Sequence, residues 1–255
     1  EGYNKAIAQI ECDYCLLLNS DVRVEKGWLK PMLDYMNSHP TTAACQPKIR
    51  SEWSPDMLEY AGACGGYIGR LGFPFCRGRI LGTVEYDNGQ YDNITTIAWA
   101  TGASLLIRRD IYLNVGGLDA RFFAHQEEID LCWRLRSRGY DIVCIPESVV
   151  YHVGGGTLPK ESPRKAYLNF RNNLLLLYKN LPEKQFRTVM FWRRLLDMAA
   201  ALHFLAGGHW AACRAVIQAH IDFRRIHKDF QTDRDTNLAA TIVPPEQILS
   251  PINLL

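Results

Sequence analysis

The chain has 255 residues, 47% hydrophobic and 22% charged, which is ordinary globular usage and excludes a wholly disordered chain. Its 29 Lys and Arg against 27 Asp and Glu leave a net charge of +2, too balanced for a protein whose main partner is a nucleic-acid backbone. No uninterrupted apolar run reaches the ~18 residues of a membrane span, and eight Cys fall far below the density of a disulfide scaffold.

GYNKAIAQI reads as a helix entered partway, with Ala6, Ile7 and Ile10 at helical spacing. With Glu first and no basic-then-apolar leader, the chain is expected to be a piece whose N-terminal portion is absent. Cys12 and Cys15 form a C-x-x-C. A redox pair of that kind wants a helix N-terminus after it, whereas Cys15 opens the strand-like run CLLLN (15–19). The thiols therefore read as buried cysteines of a reducing compartment, and the chain as cytoplasmic.

The wholly apolar CLLLN suits a strand buried on both faces. GWLKPMLDYMNSH (27–39) carries helical spacing and is stopped by Pro40, and TAACQPKI (42–49) is a second strand. This β-α-β order predicts a parallel sheet with ligands beyond the C-terminal ends of its strands. Residues 51–95, rich in Gly and aromatics, read as a structured loop region packed on the domain.

WATGASLLIRR (99–109) then predicts a strand, and DIYLNVGG a short helix ended by Gly116 and Gly117. EEIDLCWRLRSRG (127–139) predicts a helix with acids first, bases last and a stop at Gly139. DIVCI (141–145) and VVYHV (149–153) are the last strands. From Pro163 the pattern is helical, over 163–182, about 185–206 and about 209–229, and the stretch to Leu255 has no clear period. The expected division is an α/β part over 1–160 and a helical extension over 161–255.

Four groups of residues carry candidate chemistry. Asp21, just past a buried strand in LLLNSD, is placed to hold Mg²⁺ or Mn²⁺ with substrate phosphates, or else shapes a turn with Asn19. Glu127, Glu128 and Asp130 put three carboxylates in four residues. Their repulsion would raise a pKa toward that of a general base, although a helix first turn favours acids anyway and Asp130 also faces Arg134 at i,i+4. His152 in VVYHVGGG ends a strand. Such a histidine is usually satisfied by the core, but the following glycines let a large ligand approach. Arg77, Arg79 and Arg171 are either diphosphate contacts or solvated surface residues.

The last two long helices, VMFWRRLLDMAAALHFL and AACRAVIQAHIDFRRIHK, are split by Gly207 and Gly208, and Arg193, Arg194 and Asp197 forbid a span. They suit an anionic membrane face, packing on the domain, or a second copy.

GYNKAI, LLLNSD, WATGASLLIRRD, VGGLDARFFAHQEEIDLCWRLRSRGY, IPESVVYHVGGG and KAYLNFRNN stand in an order that resembles the inverting family 2 glycosyltransferases, rhamnosyltransferases among them, from Glu1 to about Leu181. The resemblance implies a GT-A fold: a mixed α/β sheet flanked by helices, here incomplete at the N-terminus, with a C-terminal helical extension. It implies that Asp21, with His152, binds a divalent metal (Mg²⁺ or Mn²⁺) bridging the donor diphosphate, and that Asn19 replaces the first acid of the family's Asp-x-Asp motif.

Glu128, or else Glu127, falls on the family's general base. Gly102 and Ala103 would wall the donor sugar, and Trp99, Asp130, Arg77, Arg79 and Arg171 complete the expected binding residues. The implied activity is transfer of a sugar from a nucleotide-sugar donor to a saccharide or lipid-linked acceptor, in cell-surface polysaccharide synthesis at the cytoplasmic face of the inner membrane. A peripheral membrane contact or a homodimer through the C-terminal helices goes with it. A catalytically silent binding or assembly module is the rival expectation. Because the family's base-reading acid lies upstream of the opening helix, this chain alone is expected to bind nucleotide poorly.

Overall fold

The computed structural model describes residues 1–60, 62–80, 82–154 and 162–250. Helix α1 (Gly2–Gln9) leads into β1 (Tyr14–Leu18), followed by β2 (Val22–Val24), α2 (Lys30–Ser38) and β3 (Thr42–Ser51). Short strands come next: β4 (Gly66–Ile68), β5 (Pro74–Cys76), β6 (Arg79–Ile80), β7 (Thr83–Val84) and β8 (Thr95–Thr96). Then follow β9 (Ser104–Arg108), α3 (Arg109–Asn114), α4 (Glu127–Ser137) and β10 (Asp141–His152). The rest is helical: α5 (Pro163–Asn180), α6 (Glu183–Ala206), α7 (Trp210–Ile226), α8 (Gln231–Ala239) and α9 (Pro245–Ile248).

The main sheet runs β1-β9-β3-β10-β2, with β8 on the same edge of β10 as β2. It is mixed, which corrects the parallel sheet expected from the β-α-β order. β1 and β3 do point the same way, but α2 carries the chain across one strand position, and β9 fills that gap antiparallel to both. Among the described strands only β3 and β10 pair in parallel. The strand expected over 99–109 is confined to Ser104–Arg108, because Thr101 and Gly102 turn the chain first. The two last strands are one, interrupted by a register shift between Ile145 and Val149, where Pro146 has no N–H for a ladder.

The glycine- and aromatic-rich region packs on the domain as expected: Leu58, Ala63, Cys64, Ile68 and Cys76 are buried in the main core. Gly66 is there for space, since a Cβ on it would lie 1.9 Å from Trp99 Cε2. The same core takes in Leu174 to Leu177 of α5, Val189 and Met190 of α6 and Phe223 of α7, so helices and sheet share one apolar interior. The expected division at 160/161 and glycines 155 and 156 lie outside the described residues. The final stretch, read as aperiodic, contains α8, whose Arg234 and Asn237 are buried beneath it. Among the described residues no helix is long and apolar enough to cross a membrane.

All eight thiols are free; Cys12 is exposed, with its sulfur 3.6 Å from that of buried Cys15.

Candidate active site

Asp21 sits in the turn between β1 and β2, and its main chain is pinned on both sides. The Asn19 N–H donates to the Ala103 carbonyl at 3.0 Å, and the Asp21 carbonyl accepts from the Val153 N–H at 3.1 Å. Because Val22 pairs with His152 across β2 and β10, the Asp21 and His152 side chains meet, with Oδ1 3.2 Å from Nε2. On the far side of the imidazole, Nδ1 lies 3.6 Å from Glu59 Oε1, a charge contact longer than a good hydrogen bond. Burial alone would lower the His152 pKa; the Glu59 and Asp21 carboxylates outweigh it and hold the imidazole above its usual value. Glu59 in turn needs Gly154, where φ is +69° and a Cβ would lie 3.0 Å from Glu59 Oε1.

This donor set fits a divalent cation. Asp21, 30% exposed, offers a hard carboxylate oxygen toward solvent, His152 offers a ring nitrogen, and Glu59 can orient that ring from behind. Among the described residues no cluster of three His, Cys, Asp or Glu side chains forms a closed cage, so an ion here would complete its shell with water and substrate phosphates.

The second centre is the start of α4. Glu127 and Glu128 open the helix, where free N–H groups favour anions. Each nevertheless has a buried Oε2 with no hydrogen-bond partner among the described residues. Burial raises both, and the neighbouring Glu127 charge adds to it at Glu128, whose pKa is pushed up to about 8 in spite of backbone N–H groups that favour the anion. The pair titrates as a unit, with the last proton leaving near neutrality or above.

The loop entering α4 is under strain. Phe123, His125 and Gln126 have φ of 68°, 69° and 70°, a region costly for any residue with a Cβ. Helix α5 holds it there: the Asn172 amide donates to the carbonyls of Phe122, Ala124 and His125 at 2.9, 2.8 and 2.7 Å. Asn173 donates to Gln126 Oε1 at 2.9 Å.

The Ala100–Ala103 turn joins the two centres. Glu128 lies close enough to Cys132 that its charge adds to burial in pushing that thiol up to about 12, and the Cys132 sulfur accepts the Ala100 N–H at 3.4 Å. The far end of the turn is Ala103, whose carbonyl holds Asn19. Gly102 between them faces open space, with nothing within 4 Å of a Cβ built on it.

Other expected site residues are elsewhere or otherwise engaged. Asp130 is fully buried and bonded to Arg134, Lys179 and Asn180, so burial that would raise its pKa is overcome by two cations and the carboxyl stays low. It belongs to the α4–α5 packing, and only two of the three carboxylates form the repelling pair. Trp99 is 6% exposed and its indole N–H donates to the Tyr67 carbonyl at 2.8 Å, a core position rather than a binding one.

Arg77 bonds the Cys64 carbonyl and Thr95 Oγ1. Thr95 pairs with Cys144, eight residues up β10 from His152 or ~26 Å along a strand, which removes Arg77 from the diphosphate side. Arg79 bonds the Tyr60 carbonyl and covers the Tyr60 ring, next to Glu59. Arg171 spends its donors on Asn172 Oδ1 and the Arg121 and Phe122 carbonyls, bracing the strained loop rather than a ligand. Glu59 was missed because a lone Glu in a glycine-rich stretch carries no periodic or motif signal. The N-N pair of KAYLNFRNN was visible, but its grip on the 122–126 loop was not.

Residues 1–173 match the model of the family described as glycosyltransferase like family 2. The N-acetylglucosaminyl-diphospho-decaprenol L-rhamnosyltransferase of Mycobacterium tuberculosis is 31% identical over 147 residues, 55% of this chain and 47% of its own length. The rhamnosyltransferase WbbL of Escherichia coli is 24% identical over 140 residues, 55% of this chain and 52% of its own. The chain thus spans about half the length of these curated relatives. The crystal structure of GalNAc-T7 with UDP, GalNAc and Mn²⁺ aligns at a TM-score of 0.52 and 12% identity, covering 71% of this chain and 34% of that one. That likeness is one of fold, the GT-A arrangement of a mixed sheet flanked by helices. The family match takes in β1 with Asp21, the Glu127–Glu128 pair, His152 and the Asn172 clamp, and by it the chain belongs to the family 2 glycosyltransferases.

Proposed function

We propose that the protein is an inverting glycosyltransferase that moves a sugar from a nucleoside-diphosphate donor to a hydroxyl of a saccharide or lipid-linked acceptor in cell-surface polysaccharide synthesis. The observation that carries it is the Glu127–Glu128 pair: two half-buried carboxyls with orphaned oxygens, one with its pKa pushed up to about 8. A carboxylate so raised is basic enough to take a proton from an alcohol as the oxygen attacks. The names of the relatives, one with a diphospho-decaprenol acceptor, support that acceptor class.

Glu128 removes the acceptor proton. The freed oxygen attacks the anomeric carbon in line with the departing nucleoside diphosphate, and a single displacement inverts that carbon without a covalent intermediate. Gly102 leaves room for the donor sugar. Asp21 and His152 would hold Mg²⁺ or Mn²⁺, with Glu59 fixing the His152 ring. Bound there, such an ion neutralises charge on the diphosphate. His152 must then give up the proton that Glu59 and Asp21 stabilise. The silent-module alternative has no observation in its favour, since both carboxylates are in place and unspent.

The test is product formation by the full-length protein from a panel of nucleotide sugars, the rhamnose donor included, with a polyprenyl-diphospho-N-acetylglucosamine acceptor. Transfer with inverted anomeric configuration is expected. Glu128→Gln is expected to lower kcat by about 10²–10⁴-fold while donor affinity stays within a few-fold. Unchanged turnover in that variant removes Glu128 as the base, and absence of turnover with every donor removes the transferase reading.

A further inference from the structure

Helices α6 and α7 form a hairpin through Gly207 and Gly208, and their inner faces are buried through Val189, Met190, Val216 and Phe223. Their outer faces carry the opposite of what a solvated surface wants. On α6, Phe191, Leu195, Met198 and Leu202 follow the helical repeat as one stripe, each more than half exposed. On α7, Trp210 is 71% exposed and Ile217 follows two turns later on the same side. Exposed apolar side chains gathered in one place mark an interaction surface.

Charge decides what covers it. The exposed cations of the hairpin are Lys184, Arg187, Arg194, Arg214, Arg224 and Arg225. By helical spacing, Arg187 and Arg194 flank the α6 stripe, and Arg214 lies between Trp210 and Ile217 on α7. The acids answer only two of them: Glu183 pairs with Arg187 as well as Arg234, and Asp222, also held by Tyr167 and Gln218, lies 3.6 Å from Arg225, while Asp197 is buried against Arg193 and His220. A two-fold contact between copies would set this cationic face against itself, because an isologous interface uses the same patch twice. A surface that is apolar beneath a layer of negative charge satisfies both features at once.

We propose that the outer face of the α6–α7 hairpin lies in the plane of an anionic lipid bilayer, its aromatic and aliphatic side chains at the headgroup boundary and its arginines on lipid phosphates. The face is separate from the Glu127–Glu128 and Asp21–His152 centres, and its test does not depend on turnover.

Sedimentation of the 255-residue chain with phosphatidylglycerol–phosphatidylcholine vesicles, against phosphatidylcholine alone, reads it directly. Binding to the anionic vesicles is expected to exceed binding to the neutral ones by about tenfold or more at low salt and to fall as salt rises, at about fivefold per basic residue engaged. Leu195→Asp with Leu202→Asp, and separately Arg187→Glu with Arg194→Glu and Arg214→Glu, are each expected to abolish it with circular dichroism unchanged. Glu128→Gln is expected to bind as the wild type does, which keeps this result apart from that of the site. The proposal is overturned if the wild-type chain ignores anionic vesicles at low salt or binds neutral ones equally. It is also overturned if the chain sediments as a dimer without lipid that the Leu195–Leu202 variant breaks.

Discussion

Glu128 is unfavourable where it stands, and the proposed role as base draws on that. In the unfolded chain its carboxyl titrates near 4.5, and in the folded protein near 8. Below the lower value both states are protonated and nothing is lost. Between the two the folded state binds more protons, so stability falls as pH rises, and above the upper value the whole contribution is gone. The ionised carboxylate therefore costs the fold a few kcal/mol that Gln would not. The Glu128→Gln protein is expected to melt higher than wild type at about pH 9 and level with it near pH 4.5, as followed by circular dichroism. The same titration is expected in turnover: kcat/KM should climb about tenfold per pH unit up to about pH 8 and then level, because only the ionised base can take the proton.

At the scale of elements, the loop that leads to Glu127 and Glu128 is held by a helix it does not belong to. Asn172 of α5 satisfies three carbonyls of the loop that enters α4 with strained backbone. Asn172→Ala leaves those carbonyls unanswered, and it is expected to lower stability by about 1–3 kcal/mol and reduce kcat with little change in Mn²⁺ affinity, since Asp21 and His152 rest on other strands. Asp130 behaves differently. It lies between Arg134 and Lys179 at zero exposure, and Asp130→Ala would leave buried Arg134 without a carboxylate and Lys179 with Asp119 alone. A loss of about 3–5 kcal/mol in urea unfolding is expected, with activity falling only as the folded fraction falls. The contrast between Asp130 and Glu128, two residues apart, separates packing from chemistry.

Across the whole molecule, each centre is assembled from segments that the sheet brings together. Asp21 reaches His152 because β2 turns back onto the far end of β10, and Glu59 reaches the same imidazole from a ribbon region with no regular period. Elements with a clear period were readable in the chain: the apolar run of β1, the helix of α4 with its terminal charges, and the three long helices after Pro163. Strand direction was not readable, because the order β1-α2-β3 is the same whether or not another strand enters between them.

What the sequence determined by itself is local: helices and strands where hydrophobic spacing repeats, two adjacent acids at a helix start, and ordered motifs dense enough to place the chain in its family. What only the tertiary structure decided is partnership. It set Glu59 behind His152, turned Asp130 inward to its cations and left one buried oxygen each of Glu127 and Glu128 without a hydrogen-bond partner among the described residues. A carboxylate's role depends on burial and on the charges around it, and both are supplied by residues distant in the chain.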